Sequence, residues 1–114
     1  MKIKKVFISL AVIALSVFLP FACKTTKVTI DCSGTESSYS KDIAPMITAN
    51  CMPCHKAGSM KGDWTTYAGL KTSVDNGSFE KHVLVKKDMP PKKPLTEDDV
   101  KKIRCWLKNG SQNN

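Results

Sequence analysis

The sequence predicts a small all-α domain. Helical signals lie on both sides of a Cys-x-x-Cys-His pentapeptide at 51–55, turn residues separate the helical segments, and the last segment has both start and stop signals for a helix. These segments lie between Tyr39 and Ser111, within one predicted domain at 39–114. A domain this short rarely stabilises itself by apolar burial alone and usually needs a disulfide, a metal or a cofactor.

The first predicted helix of the domain leads directly to the pentapeptide. Asp42 is a candidate N-cap, and Pro45 falls in the first turn, where its missing N–H costs nothing. Ile43, Met46 and Ile47 follow the spacing of one helical face. We therefore expect this face to be buried.

Two shorter helices are predicted in the middle of the domain. Residues 56–63 contain two glycines and should form a loop. A helical segment that begins near Trp64 should end at the turn signal 75–77, and Ser78 can cap another helix over 79–85. We interpret Trp64 as a core aromatic residue.

The last predicted helix has the clearest signals. Thr96 and Asp99 make a capping box, and acidic residues in the first turn face the positive end of the helix dipole. Asn109 and Gly110 supply a stop signal. The helix has one apolar face, formed by Val100, Ile103, Trp106 and Leu107.

The pentapeptide Cys51-Met52-Pro53-Cys54-His55 is the most specific signal in the chain. Cys-x-x-Cys-His is the sequence that carries covalently attached haem, because two thiols can add to the two vinyl groups of one porphyrin while the adjacent imidazole reaches the iron. We expect one haem c per chain, held by Cys51, Cys54 and His55.

Other chemistry also uses paired cysteines. A tetrahedral zinc site needs a second pair at similar spacing, which neither Cys32 nor Cys105 has. A thioredoxin-like thiol pair follows a strand and opens a helix, whereas a helix is predicted before Cys51. The remaining alternative is a structural disulfide followed by an incidental His55, which the position of the histidine directly after the motif disfavours.

Met89 is the candidate for the second axial ligand of the iron. The prolines at 90–91 stiffen the segment after it, so the thioether can be held toward a ligand. A rival candidate is His82, which can equally be a solvated histidine, and an open sixth site is a further alternative. Three other methionines are weaker candidates because they lie in a helix stripe, in the attachment loop and in a flexible loop: Met46, Met52 and Met60.

The first 22 residues are typical of an export signal. Three lysines precede an apolar run over 6–19, and Ala22 is the small residue expected at a cleavage site. The run is too short to span a bilayer comfortably. We expect residues 1–22 to be removed and the mature protein to act in the periplasm or cell envelope.

Cys23 follows this junction and is a candidate lipidation site. Residues 19–23 resemble a bacterial lipoprotein box, although Pro20 and Phe21 depart from its usual residues. A lone exposed thiol is a liability in an oxidising compartment, which favours lipidation over a free Cys23. The sequence predicts a lipid anchor at Cys23 and a polar tether to the membrane over 23–38.

Cys32 and Cys105 remain once the haem and the lipid have been assigned their cysteines. An even pair in an oxidising compartment usually joins, so we predict a disulfide between them. The alternative is a buried, unbonded Cys105 and an exposed Cys32 thiol.

Together these residues resemble a small class I c-type cytochrome over 39–111. The pentapeptide, Met89 with its two prolines and the terminal helix with Trp106 carry the resemblance. The ending Ile103-x-x-Trp106-Leu107-x-x-Gly110 is similar to cytochrome c domains of exported bacterial lipoproteins. The resemblance implies that the first and last helices cross, that the haem packs against short helices and a methionine loop, and that histidine and methionine ligate the iron.

These expectations describe an electron carrier rather than an enzyme. With both axial positions filled, a substrate cannot easily reach the iron, and the sequence contains no acid–base or nucleophile constellation for another reaction. The alternative function is a haem-based sensor or gas-binding module with Met89 absent from the iron or displaceable. A peroxidase-like enzyme is disfavoured because one haem motif and so short a chain leave little protein for a distal pocket.

The charge of the chain bears on its partners. The full sequence has a net charge of +8, and loss of the three leader lysines leaves +5. The lysines are scattered and are not interleaved with aromatic residues, so we expect no nucleic-acid binding. A solvated surface is the first interpretation, and docking to an acidic redox protein is the second.

Overall fold

The computed structural model describes residues 29–114, and all of its regular structure there is helical. A π-helical turn at Tyr39–Ile43 continues into α1 (Ala44–Asn50), which is followed by α2 (Tyr67–Asp75), by α3 (Ser78–Glu80) with a second π-helical turn at Lys81–Val85, and by α4 (Glu97–Lys108). No strand occurs within 29–114. The predicted all-α class is therefore confirmed for this part of the chain. The predicted leader and Cys23 lie outside the described residues.

The first helical element begins earlier than predicted. Ser38 is its cap, because the Ser38 hydroxyl accepts the Lys41 N–H at 3.1 Å and the Ser38 N–H donates to the Asp42 carboxylate at 3.0 Å. The Ile43 N–H donates to the Ser38 carbonyl at 3.2 Å, a five-residue spacing that makes this turn π-helical. The prediction of Asp42 as N-cap is wrong, since Asp42 instead completes the cap from inside the turn.

The helices share one apolar core. The predicted stripe of the first helix is buried, as are the side chains of Phe79 and Val83. From α4, Ile103 and Trp106 are each 1 % exposed, and the indole N–H of Trp106 donates to the Gln112 carbonyl at 2.9 Å. The predicted capping box of α4 is present between Thr96 and Asp99.

The first and last helical elements meet. The ring centroids of Tyr39 and Trp106 lie 6.2 Å apart, and Lys102 of α4 approaches Asp42 at 3.7 Å. The N–H groups of Tyr39 and Ser40 both donate at 2.9 Å, to the side-chain and the backbone oxygen of Asn114 respectively. The end of the described chain thus supplies partners to N–H groups that a helix start leaves without internal acceptors.

A disulfide joins the segment before the first helix to α4. The sulfur atoms of Cys32 and Cys105 are bonded, and their Cα atoms are 5.6 Å apart. This is the cysteine pair that the sequence predicts to be bridged. Cys105 is fully buried, so the bridge fastens residues 29–38, which contain no helix, directly to the core.

No helix within residues 29–114 combines the length and the apolar character needed to cross a bilayer.

Candidate functional site

A cavity of about 300 Å³ opens between the end of α1 and the segment that follows the second π-helical turn. Most of its wall is apolar, and the side chains that form it come from several distant parts of the chain: Ile47, Trp64, Phe79, Val83, Leu95 and Ile103. Ligand cavities of this kind combine apolar walls with a few polar groups that orient the ligand.

The four residues predicted to hold a haem and its iron all line this one cavity. Cys51, Cys54 and His55 come from the pentapeptide, and Met89 comes from the segment before α4. Met89 is 39 % exposed, which puts it at the opening rather than in the core. The fold therefore brings together two groups of residues that the sequence keeps far apart.

The backbone explains how the pentapeptide presents its side chains. The Cys51 N–H donates to the Ile47 carbonyl at 2.8 Å and ends α1. The N–H groups of Cys54 and His55 then both donate to the Cys51 carbonyl, at 3.1 and 2.9 Å. This hydrogen-bonded turn keeps the two thiols and the imidazole close together in one short loop.

The orientation of His55 leaves one ring nitrogen free. Its Nδ1 atom lies 3.2 Å from the carbonyl oxygen of Gly62. Because a carbonyl oxygen can only accept, Nδ1 is the donor, and in the neutral imidazole Nε2 then keeps an unshared electron pair. Metal-bound histidines commonly use such an outer hydrogen bond, which fixes the tautomer and the ring orientation.

Trp64 also holds His55. The two rings stack with centroids 3.6 Å apart and planes 7° from parallel, while the indole N–H donates to the Ser73 hydroxyl at 2.9 Å. Gly62 permits this approach, since it has φ +101° and a Cβ there would lie 3.1 Å from the indole nitrogen. Trp64 is buried as predicted, but its contact with His55 was not predicted from the sequence. The sequence signal for this contact was the position of Trp64, shortly after the pentapeptide and two residues after Gly62.

The rival ligand His82 does not line the cavity. It is partly exposed, and its Nδ1 atom lies 2.9 Å from Asp88 Oδ1. Of the other methionines, Met46 belongs to the buried stripe and reaches the cavity wall, whereas Met60 is fully exposed. The position of Met89 thus fits the distal role better than that of His82.

Two lysines at the cavity opening were not predicted from the sequence to belong to the site. Lys92 and Lys93 line the cavity and are exposed, directly after the two prolines that follow Met89. Their ammonium groups suit a ligand that has carboxylates at one edge. The Lys-Lys pair beside Pro91 was the available sequence signal.

The thiol chemistry of Cys51 does not fit a redox-active pair. Burial raises the pKa of the Cys51 thiol to about 11, and the neighbouring Cys54 thiol contributes to the rise. Reactive thiols of dithiol oxidoreductases have lowered pKa values, because the thiolate is the nucleophile. Within residues 29–114, no group of three or more His, Cys, Asp or Glu side chains is arranged to hold a metal ion, so nothing there supports the zinc alternative.

The raised pKa leads to a test on the haem-free protein. In a Cys54→Ser variant, alkylation of Cys51 by iodoacetamide should be slow at about pH 8, because only the thiolate reacts. The rate should then increase roughly tenfold per pH unit until the pH approaches the thiol pKa. Mass spectrometry of the alkylated peptide gives the rate at each pH. A rate that levels off near pH 9, the ordinary value for a thiol, would contradict the raised pKa of Cys51.

Comparison of the chain with family models, with curated proteins and with solved structures finds no match.

Proposed function

We propose that this chain is a monohaem c-type cytochrome that transfers single electrons in the cell envelope. The observation that carries the proposal is the convergence of Cys51, Cys54, His55 and Met89 around one apolar cavity. A covalently attached haem with two protein axial ligands requires this combination of groups. Within the all-α class, we propose a class I cytochrome c fold, which the contact between the first helical element and α4 supports.

The four candidate haem-binding residues each have a defined part in this proposal. Cys51 and Cys54 would provide the thioether bonds, and Nε2 of His55 would bind the iron because Nδ1 is engaged with the Gly62 carbonyl. Met89 would provide the second protein ligand of the iron. When bound, the haem supplies reversible Fe(II)/Fe(III) chemistry. The mostly apolar walls suit the apolar faces of a porphyrin.

The partner implied by this function is a redox protein that docks transiently near the cavity opening. Lys92 and Lys93 line that opening and would favour an acidic face on the partner. Their charges would also pair with haem propionates, so only part of the positive charge would remain for docking.

An optical spectrum of protein made in a host that attaches c-type haem tests the proposal. The reduced protein should have the spectrum of a six-coordinate low-spin c-haem, and carbon monoxide should bind to it slowly. Rapid binding of carbon monoxide would instead favour the second candidate, a sensor or gas-binding module. The partial exposure of Met89 favours this second candidate, because an exposed ligand is displaced more easily than a buried one.

Replacement of Met89 tests the distal ligand. Met89→Ala should remove the weak sulfur-to-iron charge-transfer band of the oxidised protein and lower the reduction potential, because a thioether ligand favours the reduced iron more than its replacements do. Met60→Ala is the matched control, since Met60 is a fully exposed methionine outside the cavity wall. A band that persists in Met89→Ala would assign the distal position to another residue.

We also propose that the protein is exported and anchored to a membrane through Cys23. The disulfide between Cys32 and Cys105 supports an oxidising compartment. The mature protein should begin at Cys23 and have the mass of a diacylglyceryl addition, and Cys23→Ser should release the domain into the soluble fraction. Intact-mass measurement and fractionation check both outcomes. A native N-terminus with an unmodified thiol would refute lipidation.

A further inference from the structure

His82 and Asp88 lie at the base of the segment that presents Met89. The Nδ1 atom of His82 lies 2.9 Å from Oδ1 and 3.2 Å from Oδ2 of Asp88. The backbone carbonyl of His82 accepts the N–H of Asp88 at 3.1 Å and the N–H of Met89 at 3.3 Å. His82 therefore contacts this segment through both its side chain and its backbone.

The chain reverses direction between His82 and Met89. The second π-helical turn ends where the Lys86 N–H donates to the Lys81 carbonyl at 2.8 Å. Lys87 follows with φ +55°, in the left-handed region that residues other than glycine seldom adopt. Such a conformation persists only where the surrounding contacts hold it. The contacts of His82 with Asp88 and Met89 close this reversal.

The residues after Met89 have few backbone donors of their own. Proline occurs at 90, 91 and 94, and proline has no N–H. The segment therefore cannot be positioned by a helix or a strand of its own, and the Met89 N–H is the last backbone donor before Lys92. The backbone hydrogen bond of Met89 is therefore made on its N-terminal side, to the His82 carbonyl.

We propose that His82 is a positioning residue for Met89: through Asp88 and its own carbonyl, it holds the Met89 thioether toward the cavity. This inference rests on the proposed function and deepens it, because it assigns a role to a histidine that does not itself line the cavity. The His82–Asp88 pair is partly exposed, and exposed pairs add little to global stability. Its loss should therefore alter the distal ligand more than the fold.

Variants at both positions test the proposal in the haem-loaded protein. His82→Ala and Asp88→Ala should weaken the sulfur-to-iron charge-transfer band, accelerate carbon monoxide binding roughly two- to fivefold and lower the potential, while covalent haem content and helical circular dichroism stay unchanged. Asp88→Asn keeps an acceptor for the Nδ1 proton and should restore most of the band. The double alanine variant should be no worse than either single one, because the two residues act as one unit.

Asp75→Ala is the matched control, since Asp75 is an exposed carboxylate paired with Lys71 on α2 and lies outside the cavity wall. The proposal is overturned if His82→Ala and Asp88→Ala both match this control in the intensity of the charge-transfer band and in the rate of carbon monoxide binding. Loss of the six-coordinate spectrum in His82→Ala, with Met89→Ala unaffected, would make His82 the ligand and would also overturn it.

Amide hydrogen exchange on the haem-free full chain provides a readout that does not need the iron. The N–H groups of Asp88 and Met89 should exchange several-fold more slowly in the unaltered chain than in His82→Ala, which leaves both of these residues unchanged, since the side-chain contact keeps the turn closed. Equal exchange rates would refute the positioning role. Failure of the proposed function has a different signature, which is the absence of covalent haem from the unaltered protein.

Discussion

A protein in which Cys51 and Cys54 are both replaced by alanine should contain no covalent haem. Both thiols line the cavity and lie on the tight turn that also presents His55. Without the thiols no thioether can form, so any remaining haem would be held only by coordination and packing. Denaturation followed by acid–acetone extraction, with haem measured in the protein pellet, should show complete loss.

The matched control for this experiment is the Cys32→Ala/Cys105→Ala variant. It removes the same number of cysteines, and both lie outside the cavity wall. Per amount of protein, this control should keep one covalent haem. Equal covalent haem in the Cys51/Cys54 variant and the unaltered protein would refute the central proposal.

The same Cys32→Ala/Cys105→Ala variant should have a much lower free energy of unfolding. The bridge joins residues 73 positions apart, and in the chain-entropy model a crosslink over a loop of that size contributes roughly 4 kcal/mol. This figure is an upper estimate for the loaded protein, because a haem bound between His55 and Met89 would constrain the same loop. Urea unfolding of the variant and of the unaltered protein measures the difference.

Alanine is the appropriate replacement at Cys105. This residue is fully buried, and a serine there would add the cost of an unsatisfied hydroxyl. Either single alanine variant should lose as much stability as the double variant, since one remaining cysteine cannot form the bridge. If Cys32 and Cys105 both react with an alkylating reagent in the denatured but unreduced protein, the bridge is absent in solution.

Local sequence signals predicted the elements whose contacts span only a few residues. The capping box of α4 joins Thr96 to Asp99, and the stripe of the first helix follows from the repeat of one helical turn. The pentapeptide indicates haem attachment for the same reason, because all three groups lie within five residues. Such patterns can be recognised without knowledge of the rest of the chain.

The local signals failed where two residues close in sequence could both cap the first helical element. Asp42 and Ser38 are both good capping residues, and the wider π-helical turn allows them to bond to each other, which moves the cap upstream. The sequence contains no simple signal for a π-helical turn, since its side-chain pattern resembles that of an ordinary helix.

By itself, the sequence determined the helical class, the Cys-x-x-Cys-His spacing and the set of cysteines available for a bridge, because each depends on residue type and spacing along the chain. The tertiary structure decided which distant residues meet. It brought Met89 to the cavity that contains His55, kept His82 outside that cavity, and stacked Trp64 on the imidazole. These contacts depend on how the helices pack, and the energy of packing is shared among residues that no local pattern connects.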